Sequence, residues 1–275
     1  VWGCRSRPGR SAQESRYGQR TSCVSIEIAG KLFIFDAGTG LADLGAQIEA
    51  AGGPRELWMF MTHFHPDHTD GLAHFASLAK PECTIHLGGA PEPDRSLPEL
   101  VQHAFDSNVA SIGAVEAEID LYELLEQAYE ILPGVKLTPF YANHPGKTLG
   151  FVLESRGRKL VYSPDSEVYG ETATAMQDYD DRLSRICTGA DLLIHDGRYT
   201  PEDYRLFRYG GHSNFMSVVD LAGRSGVKRL MLFHHDDRYD DAALDRIGSE
   251  ATKRVAEKGY KLECVMARPG LKVGV

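Results

Sequence analysis

Three histidines and one aspartate stand within six residues, immediately after an apolar run that predicts a β-strand. The strand is expected over Leu57 to Met61, and residues 62 to 68 then read Thr-His-Phe-His-Pro-Asp-His. Alternate residues at a strand end share a side, so the first two histidines can meet one metal ion. The proline turns the chain and presents the last two side chains toward a second ion. Imidazole and carboxylate donors suit Zn²⁺, with Mn²⁺ or Fe²⁺ as alternatives. The sequence therefore predicts a site for two divalent metal ions, with these candidate ligands: His63, His65, Asp67 and His68.

Apolar runs rich in β-branched or aromatic residues recur between turn signals along the whole chain. They predict strands over Val24–Ile28, Lys31–Phe35, Leu57–Met61, Thr84–Leu87, Val135–Tyr141, Leu149–Glu154, Lys159–Tyr162, Asp191–His195, Lys228–Phe233 and Lys261–Met266. Helical spacing predicts helices over Leu41–Ala50, Leu97–Phe105, Glu116–Ala128, Asn214–Ser225 and Ala242–Lys258. This order predicts an α/β fold with two mixed sheets packed face to face and helices outside, in one domain over residues 1–275. The segment 88–133 has weak strand character and is expected to be an insertion or lid.

The dense ligand motif resembles the metallo-β-lactamase superfamily, whose hallmark is HxHxDH after a strand. Upstream, Phe33 to Gly40 looks like that family's strand followed by a DxGxG turn, in which Asp36 would support the ligand loop. The resemblance implies an αββα sandwich. It also implies further ligands: His144 on the first metal, Asp165 bridging both metals, and His234 on the second. His235 is the competing candidate for the last of these positions.

The C-terminal third is similar to the phosphodiesterase branch of the superfamily, which includes the tRNA 3′-processing endonucleases. The similarity rests on Gly211-His212-Ser213, the helix that follows, and the strand ending at His234. In that branch the first of the two histidines donates a proton, which makes His212 the expected general acid. Asp196 follows another strand and would orient that imidazole, although an ordinary turn or helix cap is an equally good interpretation of this residue.

A narrower similarity links the chain to bacterial members of the superfamily described as phosphoribosyl or cyclic-nucleotide phosphodiesterases. It covers residues 2–7, 16–23 and 232–237. Departures from the usual pattern occur at Ser6-Arg7 in place of Gly-Ser, at Gln19-Arg20 in place of Gly-Asn, and at Asp237 in place of Pro. The metal ligands are intact, so these departures concern the substrate rather than the chemistry.

The expected reaction is hydrolysis of a phosphodiester in a small molecule, a cyclic nucleotide or a phosphoribosyl cyclic phosphate. A hydroxide between the metals would attack phosphorus, oriented by Asp67, and His212 would protonate the leaving oxygen. The same metals could instead hydrolyse a thioester or lactam, and a non-catalytic sensor or interaction module that retains metal is a third alternative. The segment from His212 to His234 argues against the thioester or lactam reaction, and the intact ligands together with His212 argue against the non-catalytic module.

Composition limits the partners of this chain. The net charge of −9 disfavours long nucleic acid, whose binding depends on many contacts from Lys and Arg to phosphates. No apolar run is long enough to span a bilayer, and the first ten residues lack the apolar segment of a secretory signal. The five cysteines are scattered without disulfide or zinc-ribbon spacing, which indicates reduced, buried thiols. We therefore expect a cytoplasmic protein with no membrane partner, and the sequence leaves a homo-oligomer open.

Overall fold

The computed structural model describes residues 1–9, 15–108, 115–170 and 177–275. The chain divides into two compact units. The first comprises Val1–Glu14, Gly18–Leu125 and Arg268–Leu271, and the second comprises Ser15–Tyr17, Glu126–Ala267 and Lys272–Val275. Each unit contains a mixed β-sheet and helices, which confirms the α/β class and the two mixed sheets. The prediction of a single domain with an insertion or lid at 88–133 stays a prediction.

The first unit is built on a sheet whose described strands lie in the order β1-β2-β3-β4-β5. β1 and β2 form an antiparallel hairpin, and β2 through β5 run parallel. Their carboxyl ends therefore lie at one edge of the sheet. The elements are β1 (Val24–Ile28), β2 (Lys31–Phe35), α1 (Leu41–Ala50), β3 (Glu56–Phe60), α2 (Pro66–Thr69), β4 (Thr84–Gly89), α3 (Leu97–Asn108) and β5 (Glu118–Glu123), with short 3₁₀ turns at Leu72–His74 and Ala76–Ala79.

The second unit is built on a sheet whose described strands lie in the order β12-β11-β10-β9-β8-β7-β6. β9 through β12 run parallel, and the remaining neighbours are antiparallel. The elements are β6 (Tyr129–Leu132), β7 (Val135–Tyr141), β8 (Leu149–Ser155), β9 (Arg158–Ser163), α4 (Gln177–Cys187), β10 (Leu192–Asp196), α5 (Pro201–Phe207), α6 (Phe215–Arg224), β11 (Arg229–Phe233), α7 (Asp241–Lys258) and β12 (Glu263–Met266).

Helix ends in the second unit are set by local side chains. The Asn214 carboxamide accepts a hydrogen bond from the Ser217 amide at 3.0 Å and begins α6, and the Asp240 carboxylate accepts one from the Ala243 amide at 2.7 Å and begins α7. Gly259 ends α7 with a φ of 65°, which glycine adopts without steric penalty. The Asn214 cap fixes where α6 begins, directly after His212 and Ser213.

Each unit has its own apolar core. In the first, α1 and the 3₁₀ turns bury Leu41, Leu44 and Phe75 with residues of the sheet. In the second, α6 buries Val218 and Leu221 together with residues of α7, β10 and β11. Burying such side chains stabilises the folded state by about 1.5–3 kcal/mol each. The loops at the strand ends are thereby attached to rigid sheets.

One element predicted from the sequence is wrong. The spacing of apolar residues over Glu116–Ala128 predicts a helix, but the structure has β5 there, paired in parallel with β4 from Thr84↔Glu118 to Gly89↔Glu123. β5 lies at the edge of its sheet and leaves Leu121 and Tyr122 partly exposed. Its burial pattern therefore lacks the period of two that a half-buried strand shows. Pairing with β4 overrides the local preference. Residues 109–114 of the segment 88–133 lie outside the described residues.

The five cysteine thiols are unbonded to one another, and four of them are buried. Burial raises the pKa of the Cys187 thiol to about 12, so this thiol stays protonated. Among the described residues, no helix combines the length and the apolar content that crossing a membrane requires.

Candidate metal centre

The first group of candidate ligands, called the histidine loop here, runs from Thr62 to His68 at the carboxyl end of β3. His63 Nε2 lies 2.8 Å from His65 Nδ1, and His68 Nε2 lies 3.4 Å from Asp67 Oδ2. Two atoms that share one zinc ion can be at most about 4.2 Å apart, because each bond measures about 2.0–2.1 Å. Both pairs meet this limit. Pro66 begins the single turn α2 and separates them along the chain.

Two buried polar side chains support the histidine loop. Asp36 directly follows β2, and its carboxylate accepts hydrogen bonds from the Thr62 amide (2.8 Å), the Thr62 hydroxyl (2.9 Å) and His68 Nδ1 (2.9 Å). The contact with His68 makes Nδ1 the protonated nitrogen and leaves Nε2 as the metal-binding atom. Asp36 has a φ of 60°, which is rare for a residue other than glycine. The structure thus gives Asp36 the supporting contacts that the sequence predicts.

Thr62 extends this support to the first histidine. Its hydroxyl donates to Asp36, so an oxygen lone pair can accept a hydrogen bond from His63 Nδ1, 3.0 Å away. That arrangement leaves Nε2 of His63 directed toward His65. Sequence reasoning missed this role of Thr62, although its position directly before the first histidine is a usable signal.

The second group lies in the second unit and is called the strand-end cluster here. It consists of His144, Asp165, Asp196, His212 and His234. β7, β9, β10 and β11 all point the same way, because β8 is antiparallel to both of its neighbours and β9 through β11 are parallel. Their carboxyl ends therefore meet at one sheet edge, where parallel sheets usually bind ligands. Ligand atoms of His144, Asp165 and His212 lie within 4.8 Å of one another.

Asp165 lies between two imidazoles of the strand-end cluster. Its Oδ2 is 3.8 Å from His144 Nε2, and its Oδ1 is 3.2 Å from His234 Nδ1. Both distances fit a shared metal ion by the limit given above, and each involves a different carboxylate oxygen. This is the arrangement needed for a carboxylate that bridges two ions.

His212 and Asp196 form a buried pair. His212 Nδ1 donates to Asp196 Oδ2 at 2.7 Å, which leaves Nε2 as the other ring nitrogen. Asp196 also accepts hydrogen bonds from the amides of Arg198 (2.9 Å) and Ser213 (3.3 Å), so it both shapes the turn and orients the imidazole. Burial lowers the pKa of His212, but the charge and hydrogen bond of Asp196 outweigh it and the pKa is raised. The ring therefore keeps its proton to a higher pH than an exposed histidine.

The two adjacent histidines after β11 have different surroundings. His234 faces Asp165 and stacks on His212, with ring centroids 5.0 Å apart, and its φ is 60°. His235 Nε2 instead donates to the carbonyl oxygen of Ala267 at 2.9 Å, and its ring contacts Tyr17 edge to face. The geometry thus favours His234 as the ligand candidate and gives His235 a role in packing.

Glu167 is a buried residue of this region that sequence reasoning missed. Its carboxylate accepts hydrogen bonds from the Tyr204 hydroxyl (2.7 Å) and from the amides of Tyr209 (2.8 Å) and Gly211 (2.9 Å). The Gly211 carbonyl accepts from His144 Nδ1 at 3.0 Å, which leaves Nε2 of His144 to face Asp165. Only its place two residues after Asp165 hints at this role.

Comparison with known proteins agrees with the topology and the motifs. A family model described as "Beta-lactamase superfamily domain" matches residues 31–235, which contain all candidate ligands. The chain belongs to this family. It is a metal-dependent hydrolase of the metallo-β-lactamase superfamily, with two mixed sheets and a cluster of His and Asp side chains suited to divalent metal ions.

Three relatives of this superfamily hydrolase define the similarity further. A Ribonuclease Z from Brevibacillus brevis is 26% identical over 264 residues, covering 78% of each chain. The metallo-β-lactamase fold protein YhfI from Bacillus subtilis has a TM-score of 0.69 at 17% identity, covering 98% of this chain and 96% of the other. A diphosphatase of the PhnP family has a TM-score of 0.63 at 18% identity, covering 99% and 95%. The two structures support the fold.

Proposed function

We propose that the protein hydrolyses a phosphodiester bond and that the histidine loop and the strand-end cluster together hold two divalent metal ions. The proposed ligands are His63, His65 and His144 for one ion, and Asp67, His68 and His234 for the other, with Asp165 shared. Support comes from family membership and from donor pairs that meet the distance limit within each group. Zn²⁺ is the first candidate for this donor set, with Mn²⁺ and Fe²⁺ as alternatives.

When bound, the metal ions would lower the pKa of water and neutralise charge on the phosphoryl group. The protein's own residues supply orientation and proton transfer. Asp67 would accept a hydrogen bond from the attacking water and fix its direction. His212 would donate the Nε2 proton to the leaving oxygen, because Asp196 holds Nδ1 and stabilises the charged ring.

The buried His212–Asp196 pair is the observation that carries this proposal. An alkoxide leaving from phosphorus requires a proton donor, whereas the thiolate of a thioester leaves without one. The contact of His212 Nδ1 with Asp196 leaves Nε2 of His212 available to donate that proton. A ring nitrogen of His212 lies within 4.8 Å of ligand atoms of His144 and Asp165, close enough for an acid beside a bound phosphoryl group.

The proposed substrate is small, such as a cyclic nucleotide or a phosphoribosyl cyclic phosphate. The net charge of −9 disfavours the many phosphate contacts that long nucleic acid requires. RNA is the second candidate, because the relative from Brevibacillus brevis is named Ribonuclease Z. That relative weighs against the sequence-based expectation that long nucleic acid is excluded.

A turnover assay with Mn²⁺ or Zn²⁺ titration tests the proposal on four substrates: a cyclic mononucleotide, bis(p-nitrophenyl) phosphate, a precursor RNA and a thioester. We expect metal-dependent hydrolysis of the two small diesters. Efficient cleavage of RNA without turnover of the small diesters would support the second candidate. Turnover of the thioester alone would contradict phosphodiester hydrolysis.

A further inference from the structure

Tyr209 combines an exposed aromatic ring with a backbone conformation that tyrosine rarely adopts. Its φ is 67°, in the left-handed region, and 60% of the residue is exposed to solvent. The next two residues are Gly210 and Gly211, which adopt such conformations more easily. Strained positions of this kind persist where the surrounding structure enforces them, and they concentrate at ligand-binding sites. At this exposure, part of the ring remains accessible to a ligand.

A buried carboxylate enforces this conformation. Glu167 is 1% exposed and accepts hydrogen bonds from the amides of Tyr209 and Gly211 and from the hydroxyl of Tyr204. Burial and the contact with Glu167 raise the pKa of Tyr204, which keeps its hydroxyl protonated as a donor. Three donors thus fix the carboxylate, and the carboxylate fixes the turn. The Tyr209 side chain is held outward as a result.

The same turn is joined to the strand-end cluster. The Gly211 carbonyl accepts from His144 Nδ1, and a Cβ atom at position 211 would lie only 2.6 Å from that nitrogen. His212 is the next residue. Three residues of chain span at most about 11 Å, so the Cα atom of Tyr209 lies within that distance of the Cα atom of His212, the proposed acid. In a nucleotide, the base lies at a comparable distance from the phosphorus atom.

The surroundings of the Tyr209 ring suit an aromatic, anionic ligand. Tyr169 contacts the ring with centroids 6.0 Å apart, and the Arg208 guanidinium carbon lies 5.1 Å from its centroid. The Tyr169 hydroxyl donates to Asn143 Oδ1 at 3.4 Å, which anchors this second ring beside His144. Aromatic faces next to arginine bind nucleobases without strong preference among them.

We propose that Tyr209 stacks on the base of the substrate, which makes the substrate a nucleotide rather than a phosphodiester of a simple sugar or alcohol. This inference rests on the proposed function. The competing occupant of the exposed ring is a second copy of the chain, and the test below distinguishes the two.

The test compares Tyr209→Ala, Tyr209→Phe and wild type on 2′,3′-cyclic AMP and on the cyclic phosphate of ethylene glycol, which lacks a base. We expect Tyr209→Ala to lower the ratio of kcat/KM for 2′,3′-cyclic AMP to kcat/KM for the substrate without a base. The expected decrease is roughly 5- to 100-fold, the range for removing one base–aromatic contact. Tyr209→Phe keeps the ring and should retain the ratio. Leu206→Ala is the matched control, because Leu206 is a nearby residue that is 76% exposed, and it should also retain the ratio.

Binding measured without turnover separates this inference from the proposed function. Calorimetric titration should give tighter binding of AMP than of ribose 5-phosphate to the wild type, and Tyr209→Ala should remove the difference. If no phosphodiester is hydrolysed, the proposed function fails while this comparison still holds. Equal affinity for the two ligands, an equal loss on both cyclic substrates, or a dimer that dissociates on Tyr209→Ala in light scattering would each overturn the role of Tyr209.

Discussion

The histidine loop and the strand-end cluster contain the same kinds of side chain but gather them differently. In the first unit, four candidate ligands lie within six residues, and one carboxylate, Asp36, supports them. In the second unit the candidates come from the ends of separate strands, and Glu167 and Asp196 provide the support. The first arrangement depends on local chain geometry, whereas the second depends on the order and direction of strands. We therefore expect substitutions of His212 and Asp196, the members of the strand-end cluster that are not proposed ligands, to have consequences distinguishable from those of the ligands and their support in the histidine loop.

The largest expected difference concerns His212 and His68. His212→Ala should retain its metals and lose roughly 10²- to 10⁴-fold in kcat on diesters with alkoxide leaving groups, because the proton donor is gone. Nitrophenyl esters should lose much less, since nitrophenolate leaves without a proton. His68→Ala should lower metal content and damage both substrate types together. Steady-state kinetics on matched alkyl and aryl diesters, with metal analysis, make the comparison.

Equal losses for the two leaving groups in His212→Ala would assign His212 to metal binding or structure. Metal loss in this variant would likewise assign His212 to metal binding or structure. Either outcome would erase the difference between the proposed acid and the proposed metal ligand.

The supporting carboxylates should differ in the property they control. Asp36→Asn removes the charge that holds His68 and should weaken metal affinity roughly 10- to 100-fold, as measured by competition with a chromogenic chelator. Asp196→Asn should leave metal affinity unchanged and lower kcat for alkyl leaving groups. If Asp196→Asn weakens metal binding as much as Asp36→Asn does, the division of roles between the two carboxylates is wrong.

The smallest expected effect is at His235. His235→Ala removes a buried hydrogen bond to the Ala267 carbonyl, and it should lower the free energy of unfolding by about 1–3 kcal/mol in urea denaturation. Metal content per folded chain should match wild type, because the ring faces Tyr17 and not Asp165. A loss of metal from His235→Ala, with none from His234→Ala, would reverse the assignment of these two residues.

Much of the fold follows from local patterns. β1, β2, β7 and α1 have the predicted bounds, because their apolar residues recur with a clear period between turn signals. The sequence spacing predicts a helix at β5, because the stability of this strand comes from pairing with β4, which local spacing does not encode. α4 and α5 were missed. The first is strongly charged, and the second has only seven residues.

In the candidate site too, some residues can be predicted from local patterns and others cannot. The histidine loop can be recognised from its spacing alone. His144, Asp165 and His234 are predicted only through resemblance, since each is an ordinary strand-end residue until the topology brings the strand ends together. The choice between His234 and His235 needed the contacts of both rings. Glu167 is a single acidic residue whose burial depends on Tyr204 and the turn at Tyr209, so no local pattern identifies it.

Elemental analysis of protein purified without chelators tests most directly whether the two groups form one centre. We expect about two divalent metal ions per wild-type chain, and a loss of metal in both His68→Ala and His234→Ala, one substitution from each group. At most one metal ion per chain after reconstitution, or full metal content in either variant, would contradict a shared two-metal centre.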